Sequence, residues 1–506
     1  MPKRKRLSDL ARMLGIEAEA GWDGILVTGI SEDTRQIEPG DLFVAVPGTA
    51  RDGAHFAAAA AARGAAAVVC ERLLPLDMPC IVVSDARHAL AALAADHFDH
   101  PTRELRTVGV TGTNGKTTVC HWITHLLGRE RTELVTTVTN AESGISELTT
   151  PPSLVVQQIA RAAVEAGKAN LVIEASSIGL EQRRLDAVAF DAAAFTNLTH
   201  DHLDLHGDLK GYLDAKAHLF RQLPPAGWAV VHADDPAAEA ILAASRARAF
   251  AVGLSDGVDL SARDIAQSPV GTSFLLAQGS ETAAVRLPAV GRHNVENALV
   301  AAGVAVCLGV ALDEIATRLG TAPAVRGRGA VFRNPEGVTA VVDFAHNPDA
   351  LRRILEMLRP VHDRIVAVFG CPGGSDRAKR PRMGEISGRL ADLTILTSDN
   401  PKDEPPEAII DEIAIGLRRT GGAVETCVER ADAVRRGVER ARPGDVVLVA
   451  GKGHEEHQIV AGERIPYSDA RVLESLGFVR SSGPCSTGAR HEGAKTAGDS
   501  KAKEIE

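Results

Sequence analysis

The sequence predicts an α/β protein of three domains built around parallel sheets. Its 506 residues exceed one ordinary core, and about 100 to 200 residues per domain suggests roughly three. From about residue 105 to 480, short β-branched runs repeatedly precede helix-like stretches, the order in which parallel strands are joined through helices. Several of these runs end directly on Gly, Asp, His or Asn, and ligands of parallel sheets bind at the carboxyl ends of strands.

In chain order, the basic start MPKRKRLSDL lacks the apolar core of a secretory signal and reads as a solvated tail. GDLFVAVPG, an alanine-rich helix and GAAAVVC form a small α/β unit ending near PTREL, which sets a first domain at 1–104. RTVGV, NLVIEA and AAAFTNL are strands of a second domain at 105–326, which closes after the helix-like NVENALVAAGVAVCLG at the turn region RGRGAVFRNPEG. TAVVDF, RIVAVF, DLTILTS and GDVVLVA supply a third sheet at 327–480. Residues 481–506 have almost no large apolar side chains, so they cannot offset the entropy of folding and read as a disordered tail.

A hydrophobic fraction of 45% with 24% charged residues is that of a globular chain. The most apolar stretch, near residues 56 to 70, is mostly alanine and is broken by Arg63 and Gly64, which leaves no run of about 20 lipid-compatible residues and predicts no membrane insertion. The seven cysteines (Cys70, Cys80, Cys120, Cys307, Cys371, Cys427, Cys485) are odd in number, scattered and without a CxxC pair. That argues against a disulfide framework or zinc site and for a reducing cytoplasm. A net charge of -10 and only 17 aromatic residues leave neither the electrostatic footprint nor the stacking platforms of a nucleic-acid partner. An anionic ligand must be held by local groups.

The strongest local signal is RTVGVTGTNGKTTV, residues 106–119, an apolar strand running through Gly112, Thr113, Asn114 and Gly115 into Lys116, Thr117 and Thr118 at a helix start. Glycines admit backbone N–H groups to phosphate oxygens, the helix N-terminus adds partial positive charge, the lysine meets β and γ phosphates, and the Thr117 hydroxyl can ligate Mg²⁺. The usual P-loop spacing places a glycine where Val110 stands, so this loop is a variant. Its bland alternative is a structural turn with an incidental lysine.

TGTNGKTT resembles the nucleotide loop of the Mur ligases and their folylpolyglutamate synthase relatives. TNLTHDHLDLHG (196–207), YLDAKAHLF (212–220), GRHNVENALVA (291–301), DFAHNPDAL (343–351) and DNPKDEPP (399–406) resemble family segments in order and spacing, across roughly residues 25 to 475. The likeness is greatest to the branch that adds the third residue of the peptidoglycan stem. It implies a small N-terminal UDP-binding α/β domain, a central P-loop ATPase-type domain and a C-terminal Rossmann-like domain, acting as a monomer.

Making an amide from a carboxylate requires an activated acyl group, and ATP supplies one when the carboxylate attacks its γ-phosphate. Cations must then offset the repulsion between the two anions, and Mg²⁺ with oxygen-rich ligands suits that role. Thr117, Glu174 at the end of NLVIEA and His202 in the THDHLD turn are its candidate ligands. The resemblance implies that Lys216 is carbamylated into a further ligand, and that Lys116, Glu174, His202 and Lys216 are the catalytic set. It also implies that Asn297, Arg328 and His346 lie near the nucleotide. Taken singly, each is more simply a capping, structural or solvated residue. His200 and His206 flank the same turn and invite a zinc reading, which the adjoining phosphate loop disfavours.

By resemblance, Thr34 and the loop Thr49, Ala50, Arg51 hold uridine, and Thr149, Thr150, Ser176, Gln182 and Arg184 hold the muramoyl peptide. Asp399, Asn400, Lys402, Gly451 and Glu455 meet the incoming amino acid, with Glu455 suited to an ammonium group. Four positions depart from the pattern: Leu148 stands for asparagine, Ile178 for histidine, Lys402 for arginine, and Ser375 for an arginine that Arg377 could replace. Lysine offers a point charge where arginine offers a planar fork, yet either favours a distal carboxylate. The reading is an ATP- and Mg²⁺-dependent ligase that joins a free amino acid, meso-2,6-diaminopimelate by preference, to a UDP-muramoyl dipeptide. Its rivals are a ligase for lysine or another amino acid, a paralogue outside the main wall route, and a catalytically silent precursor-binding protein.

Overall fold

The computed structural model describes residues 4–48, 51–201, 203–268 and 271–481. The tail expected at 481–506 therefore lies, beyond Ser481, outside the described residues. Among the described residues, three main sheets occupy successive parts of the chain.

The first sheet joins Ile30–Ser31, Leu42–Val44, Ala67–Cys70 and Cys80–Val82, all parallel and in that order. Helix Ala86–His97 starts where the Asp85 carboxylate accepts the His88 N–H at 2.9 Å, a side-chain cap for an otherwise unpaired donor. Its Ala89, Leu90 and Leu93 recur at helical spacing and pack on Leu42, Val44, Val69 and Ile81.

The central sheet runs, edge to edge, Glu281–Leu287, Gly271–Gln278, Leu260–Ser268, Arg248–Gly253, Trp228–His232, Ala192–Phe195, Arg106–Thr111, Asn170–Glu174 and Thr132–Val135. Its strands from Thr132–Val135 through Leu260–Ser268 pair in parallel. Asn170–Glu174 is buried throughout and Arg106–Thr111 at every residue but Arg106, as expected of strands covered on both faces. Helices Lys116–Leu127 and Arg292–Cys307 pack together over one face, and helix Ser153–Glu165 covers the other with Val156 and Ala160. The last three strands depart from the parallel expectation: Leu260–Ser268, Gly271–Gln278 and Glu281–Leu287 form an antiparallel ribbon. Their connections are too short for a crossover helix, and Glu281–Leu287 alternates between exposed and buried residues, the mark of a strand covered on one face.

The third sheet runs Val424–Thr426, Leu393–Leu396, Ile365–Phe369, Val446–Ala450, Thr339–Asp343, Ala330–Arg333 and Val479–Arg480. Its first five strands are parallel, and the last two pair antiparallel. Helix Pro348–Leu358 shows how sequence fixes an element here. Asn347 caps it by accepting the Ala350 N–H at 2.9 Å, Pro348 takes the first turn, and Leu351, Ile354, Leu355 and Leu358 form one buried stripe. Among the described residues no helix is long and apolar enough to cross a membrane.

Strand Arg106–Thr111 lies between Ala192–Phe195 and Asn170–Glu174, parallel to both. The loops leaving all three strands therefore meet at one sheet edge, the ligand-binding end of such a fold.

Candidate active site

Two glycines shape the loop after Arg106–Thr111. Gly112 has φ +146° and Gly115 φ +85°; a Cβ on the first would run into the Thr196 hydroxyl, and on the second into the Asn297 amide. Only glycine allows both the left-handed backbone and the close approach. Helix Lys116–Leu127 then begins with no side-chain cap, so its first N–H groups remain for an anion.

The Lys116 amine donates to the Gly112 and Thr113 carbonyls at 3.1 and 2.8 Å. Burial pulls its pKa down, against the Glu174 carboxylate, which raises it. The Thr117 hydroxyl stands 3.0 Å from both oxygens of buried Glu174, and Arg328 of the C-terminal domain donates to that hydroxyl at 3.0 Å. Lys216, on helix Leu209–Arg221, is fully buried, donates to the Gly112 carbonyl at 2.7 Å and lies 3.9 Å above the Tyr212 ring. Burial first, and then Lys116, push the Lys216 amine well below its ordinary pKa.

His202 lies outside the described residues. Its neighbour Asp201 is buried and accepts from Asn347 Nδ2 at 3.0 Å. His346 sits 3.4 Å from the same carboxylate, and Asn347 Nδ2 also reaches Asn114 Oδ1 at 3.0 Å. The two rings that invited a zinc reading face different ways: His206 Nε2 meets Ser177 at 3.0 Å and His200 Nε2 meets Asp376 at 2.8 Å. Among the described residues no group of three or more His, Cys, Asp or Glu is placed to hold a metal. What the structure does bring together, the Thr117 hydroxyl and the Glu174 carboxylate, is an oxygen pair that fits Mg²⁺.

These groups line a cavity of about 510 Å³, whose wall includes Lys116, Glu174, Lys216, Asn297, Arg328 and His346. The same cavity extends to Leu148, Thr149, Ser176, Ile178 and Arg184. Thr149 accepts from Thr137 at 2.9 Å, and the Thr150 hydroxyl donates to the Glu174 carbonyl at 2.8 Å while accepting the Ser176 N–H at 2.9 Å. Arg184 donates to the Thr150 carbonyl at 2.6 Å and to the Gln182 side chain. The peptide-binding candidates thus form one connected patch behind the carboxylate. Leu148 is 43% exposed, an apolar wall where the family pattern has an amide.

In the N-terminal domain, Thr34 opens a short 3-10 turn capped by Asp33, and Arg51 is exposed. Thr49 and Ala50 lie outside the described residues.

The amino-acid candidates converge in the C-terminal domain. Gly451 has φ +111°, and a Cβ there would meet the buried Asp399 carboxylate at 2.5 Å. Asn400 donates to Glu455 at 3.0 Å, and the fully buried Lys452 donates to Asn400 Oδ1 at 2.8 Å and to Glu455 at 2.7 Å. Burial works to raise the Glu455 pKa, but Lys452 and Asn400 outweigh it and hold the carboxyl below its ordinary value. Lys402 has φ +54° and is pinned by its N–H to Ile459 at 3.0 Å and its carbonyl to Ala461 at 2.7 Å. Arg377 is the arginine that could stand in for Ser375. It is exposed and paired with Glu412, because it precedes helix Lys379–Leu390 instead of lying on its inner face. The buried guanidinium of this segment is Arg380, 2.9 Å from both Glu404 and Glu412. Sequence reasoning gave no role to Arg380, Lys452 or Asn347, although Lys452 lies between Gly451 and Glu455 and Asn347 lies within DFAHNPDAL.

The chain matches the family descriptions "Mur ligase family, catalytic domain" over residues 26–98, "Mur ligase middle domain" over 110–305 and "Mur ligase, glutamate ligase domain" over 327–453. It belongs to the Mur ligase family, whose members are ATP-dependent ligases. A UDP-N-acetylmuramoyl-L-alanyl-D-glutamate--2,6-diaminopimelate ligase of Gloeobacter violaceus is 41% identical over 488 residues, covering 94% of this chain and 99% of the relative. The ligase of the same name from Chlorobaculum tepidum is 40% identical over 495 residues, covering 93% and 97%. A solved structure of a ligase so named, 31% identical, superposes with a TM-score of 0.64 over 94% of this chain and 98% of that one.

Proposed function

We propose that the chain uses ATP and Mg²⁺ to join meso-2,6-diaminopimelate to the D-glutamyl carboxylate of UDP-N-acetylmuramoyl-L-alanyl-D-glutamate in peptidoglycan biosynthesis. The observation that carries this reading is one cavity walled at one end by Lys116, Glu174 and Lys216 and at the other by Thr149, Ser176 and Arg184. A phosphate loop and a peptide-binding patch that share a cavity can bring a carboxylate to a γ-phosphate.

The carboxylate oxygen attacks the γ-phosphorus, ADP departs, and an acyl phosphate forms. The free amine then attacks the acyl carbon, phosphate leaves, and the amine gives up its proton as the amide forms. Lys116 would turn from its loop carbonyls to the phosphate oxygens, and Arg328 would add a second cation from the C-terminal domain. Thr117, Glu174, His202 and a carbamylated Lys216 would hold Mg²⁺, which supplies charge neutralisation between the two anions. Thr34, Thr49 and Arg51 serve the uridine end. Closure of the C-terminal domain keeps water from the acyl phosphate. Lys402 would meet the distal carboxylate of the amino acid, and Asp399, Asn400, Gly451 and Glu455 its ammonium end. Seven dispersed cysteines fit a reducing cytoplasm, where the chain would act as a monomer.

Leu148, Ile178, Ser375 and Lys402 favour a second reading, a ligase of this branch with a different amino acid. Phosphate release with the UDP-dipeptide and a panel of amino acids separates the two. Greatest stimulation by meso-diaminopimelate is expected, preference for lysine or another amine would establish the second reading, and no release with any amine would leave only a binding protein.

A further inference from the structure

His200 reaches from the central domain to the C-terminal domain through both ring nitrogens. Nε2 stands 2.8 Å from Asp376 Oδ2, and Nδ1 stands 3.1 Å from a terminal nitrogen of Arg382. A guanidinium can only donate, so Nδ1 accepts and the ring hydrogen sits on Nε2, aimed at the carboxylate. The contact is sheltered, with the two side chains 22% and 9% exposed.

Each partner is tied into one half of the site. On the central side, the Thr199 N–H bonds the Thr113 hydroxyl at 3.0 Å, so the turn that carries His200 is fixed to the phosphate loop. On the other side, Asp376 also accepts the Ala378 N–H at 2.8 Å. Its segment is bound to the amino-acid loop, Gly373 N–H to the Asn400 carbonyl at 2.9 Å and Gly374 N–H to Glu404 at 2.6 Å. Three bonded steps therefore link the phosphate loop to the amino-acid loop by this route, and of the three it is His200 to Asp376 that crosses between domains; Asn347 makes a separate crossing to Asn114 and Asp201.

We propose that His200 is a positioning residue, which sets the amino-acid loop against the phosphate loop so that the amine, and not water, meets the activated carboxylate. The proposal rests on the ligase reading above. Losing the bond would let the loop drift relative to the acyl phosphate. Amine capture would weaken and hydrolysis would rise, while the phosphate loop itself is untouched.

The test compares His200→Ala, His200→Gln and Asp376→Asn with the unmodified full chain. It measures amide formed per phosphate released, KM for each substrate, and hydrogen exchange of the amides of residues 370–380. Glutamine retains a donor near the Nε2 position. His200→Ala is expected to raise the amino-acid KM about tenfold, change the ATP KM far less, release phosphate without matching amide, and speed exchange at Gly373 and Gly374. Asp376→Asn should do the same, the double substitution with His200→Ala should add little, and His200→Gln should recover most of the coupling. Wild-type coupling and exchange in His200→Ala, or equal impairment in His200→Gln, would overturn the proposal. If the unmodified chain released no phosphate, the ligase reading alone would fall, and the exchange measurement would still decide whether His200 registers the two loops.

Discussion

The Thr117 hydroxyl lies 3.0 Å from each oxygen of Glu174, and Arg328 donates to the same hydroxyl from the opposite domain at 3.0 Å. A buried phosphate-loop threonine, a buried strand-end carboxylate and a half-buried C-terminal arginine are thereby held as one unit. Such preorganisation matters because donors already in place need not reorganise as charge develops. It also makes the site depend on how the two domains sit together, since Asn114, Asn347 and Asp201 bridge the same gap.

Lys116→Ala should lower phosphate release by at least about 100-fold, the scale of losing one preorganised charge partner in a transition state. Binding of the UDP-dipeptide, measured by calorimetry, should change less than about twofold, because Thr34 and Arg184 lie on other elements. Turnover unchanged by this substitution would remove the loop from the mechanism.

Lys216 gives a prediction with a sign. Its folded pKa is depressed by burial, so the neutral amine persists to a pH where an exposed lysine would be charged, and only the neutral amine adds carbon dioxide. Lowering the pH through that depressed value protonates the amine and opposes carbamate formation; raising it restores the reactive form. Protein stripped of carbon dioxide at mildly acid pH should therefore regain activity on addition of bicarbonate at neutral pH, and Lys216→Arg should not. The peptide containing residue 216 should carry the carbamate in native mass spectrometry of the active protein, and full activity without it would refute the assignment.

Arg430 and Asp469 form a doubly bonded pair with both side chains 0% exposed, at 2.9 Å for each bond. Arg430 also donates to the Ala450 and Ser398 carbonyls at 2.9 and 3.2 Å, which clamps the two strand ends leading to Gly451 and Asp399. Removing one partner strands a buried charge, so Arg430→Met should cost roughly 3 to 5 kcal/mol in denaturant unfolding. A loss below about 1 kcal/mol would show that water reaches the site.

How much of this the sequence discloses depends on whether the signal is local. β-Branched runs such as NLVIEA and GDVVLVA become strands because they are covered on both faces, and the phosphate loop is legible because its glycines, lysine and helix start are consecutive. The antiparallel ribbon of residues 260–287 is not legible in the same way: its direction is set by short turns and one-sided burial, which the run of apolar residues alone does not distinguish. Buried charges were invisible for a related reason. Arg430, Lys452 and Arg380 read as surface residues until distant carboxylates are placed beside them: Arg380 is fully buried between Glu404 and Glu412, while Arg377, just before the helix, stays exposed. Asn347 caps its own helix through its side-chain oxygen, a role local sequence can suggest; its amide nitrogen also bridges to the phosphate loop, a contact spanning 233 positions in the chain that local sequence cannot show.

Lys402 is the position where substrate choice should be most exposed to test. Its backbone is fixed in a left-handed conformation between Ile459 and Ala461, and its Nζ lies 3.9 Å from where a Cβ on Gly374 would stand, so the ammonium stands beside the turn that carries Gly374 and Ser375. A charge-assisted bond to a distal carboxylate is worth about 1.5 to 3 kcal/mol. Lys402→Ala should accordingly raise the KM for meso-diaminopimelate by roughly 10- to 100-fold, with kcat much less affected because the reacting amine is at the other end of the molecule. Lys402→Arg should retain most activity and could tighten binding through a bidentate fork. Steady-state kinetics with diaminopimelate and lysine decide the matter: an unchanged ratio of kcat/KM between the two in Lys402→Ala would mean that this side chain does not read the distal carboxylate.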